Sequence, residues 1–509
     1  EATIGGVRFL MSPGLLFPQN SAALLVLALA LPVAGILLVL LAGGRHARGI
    51  TLVLLVAGVW VALGIVAGVW RTGDALIYLA GGWSPPLGIK LRADGLSAAM
   101  LLMTSVIVFA AGLYAPREFS VSTDQPETRV SLSFWILLLS IWAAMNAVFL
   151  GSDFFNLYVA LELVAFAGVP LVCLSGSPAT LMAALRYLLF ALMGSALYLL
   201  GAVLLYGSYG TLDLGLLAER VRPEPALWLV IALMTAGLAA KTALFPVYLW
   251  LPPAHSGAPP AASALLSALV IKGSFFLVIR LWFDVAPGIP GALAGQIPGA
   301  MGAGAIVLGG VIALRQARLK LMIAYSTVAQ IGYLFLIFPL AADADALAAG
   351  IFQAISHAFA KAAMFMAAGL IAGAIGHDRI ADLRGVGRAL PVTVCAFGLA
   401  ALSLVGVPPS GGFFAKWLLL SASFALGQWW WAVVIFAGGL LAGGYMFRAL
   451  APALADAEKP LKLSTPVSRP REIVVLALAV CALLVGLFPE KPVELLRIGR
   501  EHSAKVAGP

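Results

Sequence analysis

Charge is scarce in this sequence. Asp, Glu, Lys and Arg together make up 10% of its 509 residues, and it holds only five histidines and three cysteines. Each scarcity excludes something. Cys173, Cys395 and Cys481 stand singly in apolar runs, without the paired spacing of zinc, iron–sulfur or dithiol sites, so they read as small core residues. No glycine-rich loop opens a helix in the manner of a phosphate site, and no Ser/His/Asp grouping suggests hydrolysis. The expectation is therefore no cofactor, no metal, and no redox or hydrolytic active site within this chain, which leaves open a place in a proton-translocating oxidoreductase complex. The net charge of +9 lies in short loops between apolar runs, which argues against nucleic acid. A basic n-region followed by a cleavage site is missing from EATIGGVRFLMSPGLLFPQN, so no signal peptide is expected and the first span should stay.

What fills the chain instead is hydrocarbon: 62% of residues are hydrophobic. The runs are long enough to cross about 30 Å of lipid, and they number roughly fourteen. This predicts an all-α polytopic membrane protein, one transmembrane domain over residues 1–509, with the bilayer as its surroundings. The first spans are expected near Leu24–Leu41 and Thr51–Trp70, joined by a basic turn with Arg45 and Arg48. RTGDALIYLAGGWSPPLGIKLRADG reads as a hairpin-like loop before a third span at Leu96–Leu113. Odd-numbered loops, including that of RQARLK with Arg315, Arg318 and Lys320, carry more Lys and Arg than even-numbered ones. By the positive-inside rule they face the cytoplasm and both termini lie outside. A multi-pass protein of a bacterial cell (inner) membrane is the expectation.

Two places resist a continuous helix. Pro246, Pro252, Pro253, Pro259 and Pro260 interrupt one apolar stretch, and GVPPSGGFFAK interrupts another around Pro408. Proline removes a backbone donor and clashes with the preceding turn, so these spans must break. Broken backbone survives at membrane depth where it is buried in protein or lines a wet cavity, and transporters build ion sites there. The breaks fall at similar places in two groups of five spans, which predicts inverted repeats over 133–285 and 297–450.

Ionisable residues in apolar helices complete the argument: Glu162, Lys241, Lys272, His357, Lys361 and Lys416. An ionised lysine at the bilayer centre costs roughly 3 kcal/mol on insertion scales, so such a residue is a functional hypothesis by default. The structural reading beside it is that one or two merely satisfy carbonyls freed by the breaks, or snorkel to an interface; for Lys361 a carbonyl partner competes directly with a functional one. His357 and Lys361 are four apart and share a helix face. Burial favours the uncharged form of each group and an opposite charge restores the ion, so a Glu162–Lys241 pair would act as a switch. Lys272, His357 and Lys416 are then successive proton acceptors. Arg186 is a candidate structural cation, and His255 beside the first break a helix cap or an input-site group.

Six motifs in one order carry a resemblance: FNLYVALELV, KTALFPVYLWLPPAH, SALLSALVIKGSFFLVIR, LKLMIAYSTVAQIGY, SHAFAKAAMFMAAG and GVPPSGGFFAK. With them the chain resembles the antiporter-like family shared by Mrp-type cation/proton antiporter subunits, proton-pumping subunits of respiratory complex I, and membrane-bound hydrogenase subunits. YGSYGTLDLGLLA, APPAASAL and AQIGY are most similar to the D-type Mrp subunit. The resemblance implies Glu162 and Lys241 as the input pair, Lys272 as the central lysine with His357 beside it, and Lys416 facing the exit or a neighbouring subunit. It implies partner membrane subunits, protons as cargo and Na+ as a second ion. The alternative within the family is a pumping subunit of a complex I-like NADH:quinone oxidoreductase or membrane-bound hydrogenase. A stand-alone solute transporter would explain the breaks but not a line of lysines across the membrane midplane.

Overall fold

Apolar runs of this length leave the backbone no water to bond, so it satisfies itself in helices. The computed structural model describes residues 22–119, 128–288, 291–457, 461 and 463–500; the basic residues Arg8, Lys459, Lys462 and Lys505 and His502 lie outside them. The helices are α1 (Ala23–Ala42), α2 (Gly44–Thr72), α3 (Gly95–Tyr114), α4 (Arg129–Leu150), α5 (Phe154–Val172), α6 (Pro178–Tyr209), the short α7 (Leu214–Arg220), α8 (Pro225–Thr242), α9 (Leu251–Gly257), α10 (Pro260–Leu265) and α11 (Ile271–Ile279). Then come α12 (Gly291–Arg315), α13 (Leu319–Phe335), α14 (Ala346–Ile375), the short α15 (Val386–Ala389), α16 (Pro391–Val405), α17 (Gly411–Ala425), α18 (Trp429–Leu454), α19 (Arg469–Leu487) and α20 (Glu490–Arg497). Among the described residues twelve helices are long and apolar enough to cross a membrane. Leu319–Phe335 makes another span and the pair α16/α17 a broken one, in line with the fourteen runs read from sequence.

The expected hairpin forms: β1 (Leu76–Leu79) and β2 (Lys90–Ala93) pair antiparallel, Leu76 opposite Ala93 and Leu79 opposite Lys90. It closes one end of the bundle. There Asp94 caps α3 through the Ser97 N–H at 2.9 Å. Arg280 grips both Asp94 oxygens at 2.6 and 2.8 Å, and Asp284 at 2.6 Å. Arg500 in turn donates to Asp284, which draws the segment after α20 over α3. Gly95 permits that approach, because a Cβ there would collide with the Leu495 carbonyl oxygen.

Both breaks occur where the prolines place them. α8 ends on Ala243, whose left-handed φ of 58° turns the chain away before α9. α16 ends on Gly406, at φ 90°, before α17. Between them the span over Pro260–Val285 is buried from Ala261 to Trp282, and it widens into π-helical turns at Leu266–Val270 and Arg280–Val285. Such turns release carbonyls from the regular ladder and gather at functional sites. α14 packs on α10, α13, α16, α17 and α19, so it forms a second interior wall.

Some details differ from expectation. Lys320 is not a loop charge: α13 begins one residue earlier, and its Nζ is buried and donates to Ala258 O at 2.6 Å. Lys416 lies inside α17, past the break. Trp429 and Trp430 face outward as a membrane-interface belt would, but Trp431 is buried and donates to Gln428.

The orientation assigned by the basic loops has a direct test. Ala47 in the first turn is buried, so Arg48, exposed beside it, is the position to label. In a chain with its three native cysteines replaced, Arg48→Cys is expected to react with an impermeant maleimide in right-side-out vesicles only after the membrane is opened. Labelling in sealed vesicles would invert the topology.

Candidate functional site

Glu162 and Lys241 come from different helices, α5 and α8, and meet because α6 lets them. At Gly194 and Gly237 the two backbones nearly touch: a Cβ on Gly237 would collide with the Gly194 oxygen. This draws α8 against α6 and sets Lys241 beside Glu162, Nζ donating to Oε1 at 2.9 Å. Ser195, next to Gly194, has one hydroxyl hydrogen that reaches either the same carboxylate oxygen or Ala191 O at 2.8 Å. The pair is largely enclosed, with side-chain exposures of 7% for Lys241 and 15% for Glu162. A buried ion pair of this kind depends on both members, since removing one strands the other at a cost of about 3–5 kcal/mol.

Thr242 follows Lys241 and donates to the Ser274 hydroxyl at 2.8 Å, which leads to the fully buried span and Lys272. Lys272 Nζ lies 2.7 Å from Ser267 O, a carbonyl of the first π-helical turn, and 2.6 Å from His357 Nδ1. The wide turn thus gives the lysine an acceptor on its own helix while the imidazole of α14 supplies the second. The tautomer sets the direction of this bond: a bare Nδ1 accepts from the ammonium, and an Nδ1–H donates to a neutral amine. His357 Nε2 is buried and has no partner among the described residues.

Lys361, one turn further along α14, does not reach Lys272. It points to α13 instead, donating to Ile323 O at 2.9 Å and to the Ser326 hydroxyl. One turn on the other side of His357, Gln353 donates to Gln330 at 2.8 Å, and Gln330 to Leu404 O at 3.1 Å. Leu404 O also accepts from Lys416 Nζ at 2.7 Å, with Val405 O at 2.9 Å, so Lys416 caps the carbonyls that the second break frees. Its ammonium stands 4.6 Å from the centre of the Tyr333 ring, within the range of cation–π attraction. Glu162 and Lys241 are thus brought together, as are Lys272 and His357; Lys361 and Lys416 have carbonyl, hydroxyl or aromatic partners and, among the described residues, no carboxylate. His255 is buried with its ring stacked on Phe365 at 4.6 Å, as a core histidine would be.

Several polar residues here carried no sequence signal. Ser195 reaches Glu162, Ser326 reaches Lys361, and Gln353 and Gln330 lead to the carbonyl that Lys416 holds, yet serine and glutamine in apolar helices are common. Glu118, just past α3, is buried against Arg471 at 4.0 Å and accepts from the Ala261 N–H at 3.4 Å. Burial pushes its carboxyl up to about 7, against the pull of Arg471, the Ala261 N–H and Lys320.

The comparisons with known proteins bear on this geometry. The family profile described as NADH:quinone oxidoreductase/Mrp antiporter, TM, matches residues 151–442, which contain every residue of the line from Glu162 to Lys416. The chain belongs to this family. It is 33% identical over 438 residues to the NADH-quinone oxidoreductase subunit N of Desulforudis audaxviator, covering 82% of this chain and 86% of that one. It is 29% identical over 427 residues to the D-type subunit of the Na(+)/H(+) antiporter of Alkalihalophilus pseudofirmus, covering 82% and 84%. A chain of the Mrp complex from Dietzia sp. shares its fold, with a TM-score of 0.86 over 96% of this chain and 99% of that one at 24% identity. As a member of this antiporter-like family the chain is a multi-pass membrane subunit, and its solved neighbours sit in multi-subunit complexes.

Proposed function

We propose that this chain is the proton-translocating membrane subunit of a multi-subunit cation(Na+)/proton antiporter, in a bacterial cell membrane. The observation that carries the proton reading is the buried succession of Glu162–Lys241, Lys272–His357, Lys361 and Lys416 between two broken helices. Each member can hold or release a proton, and hydroxyls and amides fill the gaps. Lys241 is held protonated by Glu162; when the two part, desolvation favours release toward Lys272 and His357, then Lys361 and Lys416. On this reading residues 133–285 and 297–450 are inverted repeats, each contributing one broken helix.

A second reading is a proton-pumping subunit of a complex I-like NADH:quinone oxidoreductase or membrane-bound hydrogenase. It is favoured by the 33% identity to a subunit N, and in it a separate soluble arm would transfer electrons. Isolating the chain with its native companions separates the two. Small membrane subunits and Na+-dependent proton flux are expected for the antiporter; flavin or iron–sulfur subunits would assign the chain to the redox complex. A chain that purifies alone and moves no protons in vesicles would refute both.

A further inference from the structure

Arg186 has no place in the proton line. It lies on the outward side of α6, beside Leu185 and Leu189, which are 48% and 58% exposed. No ion pair or hydrogen bond satisfies it among the described residues. Its depth is informative. α6 has 32 residues, about 48 Å at 1.5 Å per residue, roughly 18 Å more than the hydrocarbon thickness. Arg186 is eight residues from the start of α6, about 12 Å along it. In a centred helix that is the boundary where lipid phosphates meet acyl chains. A guanidinium there reaches for the headgroup level.

Arg186 also lines a cleft of about 500 Å³ between the start of α6, α9 and the start of α13. Arg318 stands on the opposite wall, and the hydroxyl-bearing residues Ser175, Ser177, Ser256 and Tyr325 line the space between. No Asp or Glu lines it among the described residues. Asp378 lies behind Arg318 and accepts from its Nε at 2.9 Å, fixing the guanidinium at the rim. The Ser175 and Ser177 hydroxyls are bonded to Thr180, and the two guanidinium groups with the Ser256 and Tyr325 hydroxyls suit a phosphate ester, whose oxygens take charge-assisted bonds from the cations. Basic pockets between spans on the cytoplasmic side bind anionic headgroups, and the basic loops assign this end of the bundle to that side.

We propose that this cleft holds the phosphodiester of an anionic phospholipid of the cytoplasmic leaflet, clamped between Arg186 and Arg318 with its acyl chains along α6. Lipid is favoured over free phosphate because Arg186 stands among lipid-facing leucines, and over a partner's carboxylate because two guanidinium groups, with Ser256 and Tyr325 beside them, exceed the single fork that one carboxylate takes.

The test uses the complex as purified in mild detergent, titrated with phosphatidylglycerol or phosphatidylcholine and read by native mass spectrometry. The wild type is expected to keep phosphatidylglycerol in preference, and R186Q/R318Q to hold it about tenfold more weakly or worse, the loss of at least one charge-assisted bond. Should the double variant fail to fold, R186Q alone, at an exposed position, is expected to lose most of the preference. Millimolar inorganic phosphate should not displace the lipid; if it does, free phosphate is the ligand and the lipid assignment falls. Equal retention of the two lipids, or an unchanged preference in the folded variants, overturns the site. So does a companion subunit that crosslinks to position 256 in a complex that shows no lipid preference.

Discussion

Glu162→Gln is expected to abolish proton movement while the protein still reaches the membrane, and Lys241→Ala to do the same. The glutamine keeps the size of the side chain and its acceptor oxygen but removes the charge that faces Lys241 at 2.9 Å. Lys241 then has a buried ammonium with no counter-ion, a loss of about 3–5 kcal/mol of favourable interaction, and it relieves this by shedding its proton. The switch is left in one position. Membrane insertion should survive because Glu162 is one half-buried group among fourteen spans. Ser195→Ala removes only a hydroxyl that reaches the carboxylate, so it should slow flux rather than stop it. Proton flux in vesicles, with protein levels measured alongside, checks all three. Wild-type flux in either Glu162→Gln or Lys241→Ala would end the switch model.

At Lys272 the informative substitution keeps the charge. Lys272→Arg is expected to be as inactive as Lys272→Ala, with the complex assembled in both. Arginine does not give up its proton in proteins, whereas a buried lysine does. The 2.6 Å contact with His357 Nδ1 is where that proton would be handed on. A cation that only plugs the midplane or holds the π-helical turn would tolerate arginine and fail as alanine. Near-normal flux in Lys272→Arg would therefore remove Lys272 from the line of carriers. His357→Gln, which keeps a hydrogen-bonding side chain without a titratable ring, should fall with the two lysine variants if the hand-over is real.

Much of this arrangement is legible in the sequence because membrane burial makes charge conspicuous. Glu162, Lys241, Lys272, His357, Lys361 and Lys416 stood out against apolar helices, and proline marked both breaks. The same contrast does not operate for uncharged polar groups. Nothing separates Ser195 or Gln330 from the serines and glutamines that face the interior elsewhere. Position along the chain misleads as well. Lys320 follows a basic loop and reads as part of it, but its buried role depends on Ala258, sixty-two residues away in sequence, offering a carbonyl. The grip of Arg280 on Asp94 and Asp284 is likewise invisible until hairpin and helix end are placed together.

Lys416 holds the second break with fewer hydrogens than it carries. An ammonium has three N–H bonds, and a neutral amine has two. Two carbonyls, of Leu404 and Val405, accept from Lys416, so the neutral amine is still able to serve both. The third hydrogen is surplus to the architecture of the broken helix. Its departure costs the attraction to the Tyr333 ring and turns two charge-assisted bonds into weaker neutral ones, but it leaves both carbonyls with a donor, so in the proposed relay this lysine would discharge without abandoning the joint it holds shut.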